Sequence, residues 1–358
     1  MTSTIDPDLT SPARPAGSAR TGRGRLLVRE AGALKVPLAL LGLLLVLMTL
    51  TQPVFLTEQN LTNAISSVAV LWFVALGATL VLLTGGIDLS SAAVAAMSGI
   101  VLAKLLDAGV PFGLAAVVTV ATGAAVGALV NGVLVGYLRL NVFVVTLASM
   151  ISITGAISLW TNTQSFYVDN DSLVWLVSGQ VAGVPAIIAL MLLVLLVFLF
   201  VQRRTYFGRD IYAIGASPVA AELSGIRNTR VIIGVYAAAG GCAALAGIVA
   251  VGRVGAATPQ VDNNLPLQAI AAILIGGTSL VGGVGGVGGT AVGVIFMGVL
   301  QNGLSISGVQ SFWQQVLTGV VLVVAVLGDR ISTSLTFRRR SRTPSPAPAR
   351  GPEPAASD

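Results

Sequence analysis

Asp88 is the first residue whose surroundings suggest chemistry. It is the only charge between Glu58 and Lys104, within Leu83-Thr-Gly-Gly-Ile-Asp-Leu-Ser-Ser91. A carboxylate at the centre of a bilayer costs about 2.5–3.5 kcal/mol on insertion scales, so in so apolar a reach it belongs at an edge, in a cavity or over a helix end. Gly85 and Gly86 can stop one helix, and Asp88 can cap the next. Two readings stand. Asp88 is an N-cap at an inner membrane face, or Gly85, Gly86, Asp88 and Ser90 break a helix that lines a transport path.

A second segment runs from Gly208 to Ile226. Ser217 suits an N-cap, Pro218 the first helical position, and Gly225 the position just past a helix end. That predicts a helix of about two turns over 218–224, which includes Ala220, Ala221, Glu222, Leu223 and Ser224. It is too short to hold alone in water and too apolar for a solvated linker. It either docks in a partner's groove or lies on a membrane surface. Gly215 sits just upstream. The third segment, Gly276-Gly277-Thr278-Ser279 through Gly289, is rich in glycine. A phosphate-binding loop needs Gly-Lys-Ser/Thr, and the only lysines are Lys35 and Lys104. The segment reads as a flexible or close-packed inside turn. Leu176-Val-Ser-Gly-Gln180 has no nucleotide-binding half around it.

The chain has no His and one Cys, and 9% of its 358 residues are charged. Ser-His and Cys-His pairs, His metal sites, disulfide frameworks and iron–sulfur sites are excluded, and no metal or cofactor is expected. Cys242 lies in Ala-Ala-Ala-Gly-Gly-Cys-Ala-Ala-Leu-Ala-Gly and reads as packing. A hydrophobic fraction of 55% with Gly 42 excludes a soluble globular domain and a disordered chain.

The elements that must position these residues are membrane spans. Apolar runs predict ten, at 36–54, 62–83, 89–106, 112–136, 142–161, 181–201, 231–252, 266–281, 290–307 and 312–328. Every Lys and Arg but Lys104, Arg139 and Arg253 falls in an N-terminal tail, in 203–230 or in a C-terminal tail. With both tails and loop 202–230 inside, the basic clusters obey the positive-inside rule, and loop 162–180, with Asp169 and Asp171, falls outside. The net charge of +6 therefore does not suggest nucleic acid. The organisation is a basic disordered tail over 1–35, a membrane-span domain over 36–330, and a second basic disordered tail over 331–358 beside membrane lipid. Gly123–Gly127 and Gly132–Gly136 are small-xxx-small spacings for close helix contact. A faint internal echo pairs Thr84–Ser90 with Ile275–Leu280, and Val130-Asn131-Gly with Gln301-Asn302-Gly.

Six segments in order carry a resemblance. They are Thr84–Ser90; Phe143-Val-Val-Thr-Leu147; Tyr212-Ala-Ile-Gly215 with Leu223-Ser-Gly-Ile226; Leu245-Ala-Gly-Ile248; Ala269-Ile-Ala-Ala272 with Gly276-Gly-Thr-Ser-Leu280; and Asn302-Gly-Leu304 with Phe312-Trp-Gln314. Over 36–330 the chain resembles the permease subunit of ribose/xylose/arabinose-type ABC importers. The resemblance implies an all-α polytopic bundle in the bacterial inner (plasma) membrane. It implies no enzyme activity of its own, and a path for a small polar solute such as a monosaccharide. Its implied partners are cytoplasmic ABC ATPase subunits, an extracellular or periplasmic solute-binding protein and a second permease copy, a homodimer. Residues 218–224 would be the coupling helix. Asn131, Gln268, Gly276, Gly277, Thr278 and Asn302 join the Asp88 segment as pathway or helix-break candidates, with Gln268 at the outer mouth. The chain departs from the family pattern at Ser91-Ala92, Val142, Ser217, Pro266 and Gln268. The competing readings are an ion-coupled secondary transporter, for which Asp88 is the lone intramembrane acid, a same-family importer of a non-sugar solute, and a non-transporting membrane protein.

Overall fold

The computed structural model describes residues 35–340, so residues 1–34 and 341–358 of the tails expected over 1–35 and 331–358 lie outside the described residues. The chain is almost wholly helical. In order come α1 (Lys35–Thr51), α2 (Glu58–Leu83), α3 (Ser91–Asp107) and α4 (Phe112–Gly136), then α5 (Val142–Thr161), α6 (Asp171–Ser178) and α7 (Ala186–Arg204). Next are α8 (Tyr206–Ala216), α9 (Pro218–Leu223), α10 (Asn228–Val254), α11 (Leu265–Ile275), α12 (Val287–Ile306) and α13 (Ser311–Arg340). Among the described residues, seven helices are long and apolar enough to cross a membrane: α2, α4, α5, α7, α10, α12 and α13 to Gly328. Each of the other three expected spans holds a shorter helix, α1, α3 or α11.

Helix ends follow local chemistry. Thr57, Asn141, Asn170, Thr205 and Ser217 each accept a backbone N–H from the first turn of α2, α5, α6, α8 and α9, as side-chain caps do. Several expected boundaries move. The span predicted over 266–281 ends at Ile275, because Gly277 turns the chain at φ +84°. The one predicted from 181 starts at Ala186, because 180–185 form a tight hairpin in which β2 (Gln180–Val181) pairs with β3 (Val184–Pro185). Helix α13 runs past 330 to Arg340, into the segment expected as a tail.

The core lies along α2 and α10. Helix α10 packs on α2, α3 and α4. Both predicted glycine spacings face it: a Cβ on Gly123, Gly127 or Gly132 would collide with Gly240, Tyr236 or Ile233 respectively, and one on Gly136 would sit tightly, 3.1 Å from Thr229 O. Within α4, residues Gly127–Gly132 form a π-helical turn. Loop 162–180 is more ordered than a plain loop: β1 (Phe166–Tyr167) pairs with β4 (Ala256–Ala257), and α6 buries Leu173 and Val177.

Candidate coupling end and buried polar relay

Helix α9 has the ends its sequence predicts. Ser217 Oγ accepts the Ala220 N–H at 3.3 Å, and Pro218 fills the first turn. At the other end the Ile226 N–H reaches Ala221 O (3.1 Å) and the Gly225 N–H reaches Glu222 O (3.0 Å). These two bonds are a Schellman closure, which needs a left-handed residue between them. Gly225 supplies it at φ +85°. Ser224 Oγ donates to Ala220 O (2.8 Å), Asn228 Nδ2 donates to Pro218 O (2.8 Å), and Arg139 forms a 2.9 Å ion pair with Glu222. That pair is exposed and contributes about 0–1 kcal/mol. Its role is positional, since Arg139 follows the end of α4.

The faces of α9 separate cleanly. Ala221 is buried in the main core cluster with Ile211 and Ile214 of α8, while Val219 is 69% and Leu223 85% exposed. Ala221 is therefore already packed within the chain. Val219 and Leu223, four apart, form the free face.

Helix α8, which sequence reasoning did not single out, joins α9 to the glycine-rich segment. A Cβ on Gly215 would fall on Leu83 O and Gly283 N, so only glycine permits this approach. Gly283 N–H donates to Leu83 O (2.9 Å), Tyr212 Oη donates to Gly285 O (2.5 Å), and Gln202 bridges Tyr212 Oη and the Val287 N–H (3.1 Å). Buried Thr278 accepts the Gly286 N–H (3.1 Å). The close-packed alternative for Gly276–Gly289 is the one observed, and Gly276 lies against Gly289. A Cβ on Gly282 would come within 2.7 Å of Gly85 N. The two glycine breaks that echo each other in sequence thus meet at one end of the molecule.

Beyond Gly85 (φ +81°) and Gly86, Asp88 is buried. Asp88 Oδ1 accepts the Ser90 N–H (2.8 Å) and Ser90 Oγ–H (2.6 Å). Ser90 Oγ accepts from Asn131 Nδ2 (2.7 Å), and Asn131 Oδ1 accepts from Ser149 Oγ (2.6 Å). The predicted N-cap is corrected: Ser90 occupies that position, and Asp88 holds it from two residues upstream. Asn131 enters the relay from the π-helical turn of α4, a local irregularity that re-aims a side chain. Tyr236 Oη is buried beside Gly86 without a hydrogen-bond partner among the described residues. Asn131 was singled out by sequence, and Tyr212 only as part of a motif of the resemblance; Ser149, Gln202 and Tyr236 were not. Their types are ordinary in a span, and only their mutual distances distinguish them.

Two candidates lie apart. Asn302 pairs with Asn60 at the opposite end of α2 and α12. Gln268 is half-buried in the first turn of α11 and joins neither group. Among the described residues no cluster of metal-binding side chains occurs.

Residues 60–326 match the family model described as the permease component of branched-chain amino acid transport systems. The chain is similar to the ribose import permease of Escherichia coli K12, 39% identical over 296 residues, covering 82% of this chain and 92% of that protein. It is similar to the ribose import permease of Bacillus subtilis 168, 38% identical with coverages of 80% and 90%. It is similar to the L-arabinose ABC transporter permease of Azospirillum brasilense, 34% identical with coverages of 96% and 98%. No solved structure matches the chain. With apolar helices throughout the matched region, and relatives that cover most of its length, the chain is a multi-pass membrane protein that belongs to this family of transport-system permease components.

Proposed function

We propose that the chain is the membrane-spanning subunit of an ABC importer for a monosaccharide, working as one of two permease copies in a bacterial inner membrane. It does no bond chemistry. Cytoplasmic ATPase subunits supply the energy, and a solute-binding protein delivers the sugar. The observation that carries this reading is α9: a short helix fixed at both ends, seated by Ala221, with Val219 and Leu223 presented outward. A rigid helix transmits a partner's displacement, whereas a loop would absorb it. The displacement passes through α8 and Gly215 to Leu83 and the Gly85–Asp88 break, each in contact with the one before. The relay Asp88–Ser90–Asn131–Ser149 ties that break to α4 and α5. In this scheme it positions helices and does not touch solute.

The topology that goes with it has ten crossings and both chain ends inside. Arg203, Arg204, Arg227 and Arg230 flank α8 and α9 and Arg209 lies on α8, where the positive-inside rule places the cytoplasm. A sugar fits better than an amino acid, although the family description covers amino acid systems. Asp88, the lone intramembrane acid, is held by Ser90, and a zwitterion calls for fixed counter-charges.

Leu223→Arg tests the coupling role without touching the core. It should insert at the wild-type level, lose co-purification with the ATPase, and lose uptake of radiolabelled D-ribose. Full uptake with a charge at 223 would remove α9 as the coupling element.

A further inference from the structure

At the end opposite α9, helices α2 and α12, with Gln314 of α13, line a cleft of about 410 Å³, within the roughly 300–1,000 Å³ of small-molecule sites. Its position follows from contacts already given. Leu83, the last residue of α2, touches the coupling end, so Asn60 to Ser67 lie away from it. Val287, the first residue of α12, is held there by Gln202, so Gln301 to Ser305 lie at the far end too.

One face of each helix lines the cleft. Asn60, Asn63 and Ser67 recur at spacings of three and four on α2, and Gln301, Asn302 and Ser305 face them from α12. None of the lining residues carries a charge, and the cation in reach, Arg253, donates to Ser67 Oγ at 2.7 Å. A spanning helix ordinarily turns apolar side chains outward, so two facing polar stripes mark a path rather than a lipid surface. Amides and hydroxyls offer donors and acceptors in equal measure without net charge. That suits a polyhydroxylated neutral molecule.

The lining groups differ in what they have left to offer. Asn60 and Asn302 bind each other through both amides, at 3.0 and 2.8 Å, and Asn60 Nδ2 also reaches Phe55 O (2.8 Å). They build the wall. The side chains of Asn63 and Gln301 make no hydrogen bond among the described residues, which leaves them for a ligand. The cleft closes toward the coupling end where Gly298 meets Val68: a Cβ on Gly298 would land on Val68 Cγ2. We infer that this cleft is the first resting site of the solute inside the permease. It takes one neutral monosaccharide against Asn63 and Gln301, and the Gly298–Val68 contact is the barrier that must part for passage.

This inference rests on the sugar-import reading, and one assay separates the two. The complete importer, permease with ATPase and binding protein, is reconstituted in proteoliposomes with radiolabelled D-ribose, D-allose or L-arabinose. In the Asn63→Ala/Gln301→Ala double variant the maximal uptake rate should fall about tenfold or more per inserted permease. The half-saturating concentration, set by the binding protein, should not move. ATP hydrolysis stimulated by the loaded binding protein should stay within about twofold of wild type. Asn63→Gln with Gln301→Asn, which keeps both amides, should recover part of the rate. Unchanged uptake in the double variant overturns the site and leaves the sugar reading standing. Joint loss of uptake and stimulated hydrolysis assigns the residues to folding and also overturns the site. A wild-type importer that moves none of the three sugars overturns the sugar reading, and the ligand class of the site with it.

Discussion

At the residue scale, burial changes what a substitution tests. Asp88 accepts two bonds through one oxygen, and an asparagine side chain in its place could accept both with its amide oxygen. Asp88→Asn should keep most uptake and most of the inserted protein. Asp88→Leu leaves the Ser90 N–H without its acceptor and breaks the chain to Asn131. A buried unsatisfied group costs about 1–3 kcal/mol, so the melting temperature in detergent should drop clearly for Asp88→Leu and little for Asp88→Asn. Equal melting of the two variants would show that the carboxylate position is not structural. Ala221 illustrates the same point. By sequence it is one of five apolar residues near a loop and looks like a docking contact. Its burial makes Ala221→Arg a folding variant, with reduced membrane levels as the expected result on an immunoblot.

Elements were legible where their ends have local chemistry. Ser217, Pro218 and Gly225 specify α9 from sequence, because a cap, a first-turn proline and a left-handed glycine are satisfied within a few residues. A Cβ at Gly225 would meet nothing within 4 Å, so the only penalty there is backbone strain. Gly225→Val should cost about 1–2 kcal/mol of local order. Gly225→Asn should cost less, since asparagine tolerates the left-handed region. Uptake should therefore fall in the order Gly, Asn, Val at unchanged membrane levels, measured by initial rates. Helix α8 and the hairpin at 180–185 were not legible. The first is an amphipathic helix joined to α7 through Thr205 alone, and the second hides in an apolar run that is continuous with a span. The shift of the N-cap from Asp88 to Ser90 is of the same kind, since both are good cap residues two positions apart.

Across the whole molecule, the proposed sidedness can be read with two exposed tyrosines. Tyr206, 79% exposed at the start of α8, and Tyr167, 82% exposed in β1, lie on opposite sides in the ten-crossing topology. Native Cys242 is buried and should stay silent to thiol reagents. An impermeant maleimide added to intact cells should label Tyr167→Cys and leave Tyr206→Cys untouched, and the reverse pattern would invert the topology. The sequence by itself determined that this is an apolar helical membrane protein, where its basic clusters fall, and how α9 begins and ends. Those properties depend on composition and on neighbours within a few positions. Only the tertiary structure decided that the two glycine breaks meet, that Asp88 connects through Ser90 and Asn131 to Ser149, and that Asn60 faces Asn302. These residues stand far apart in a chain whose spans all carry the same apolar signal. Period and propensity can place a side chain on a helix face, but they do not say which helix that face will meet.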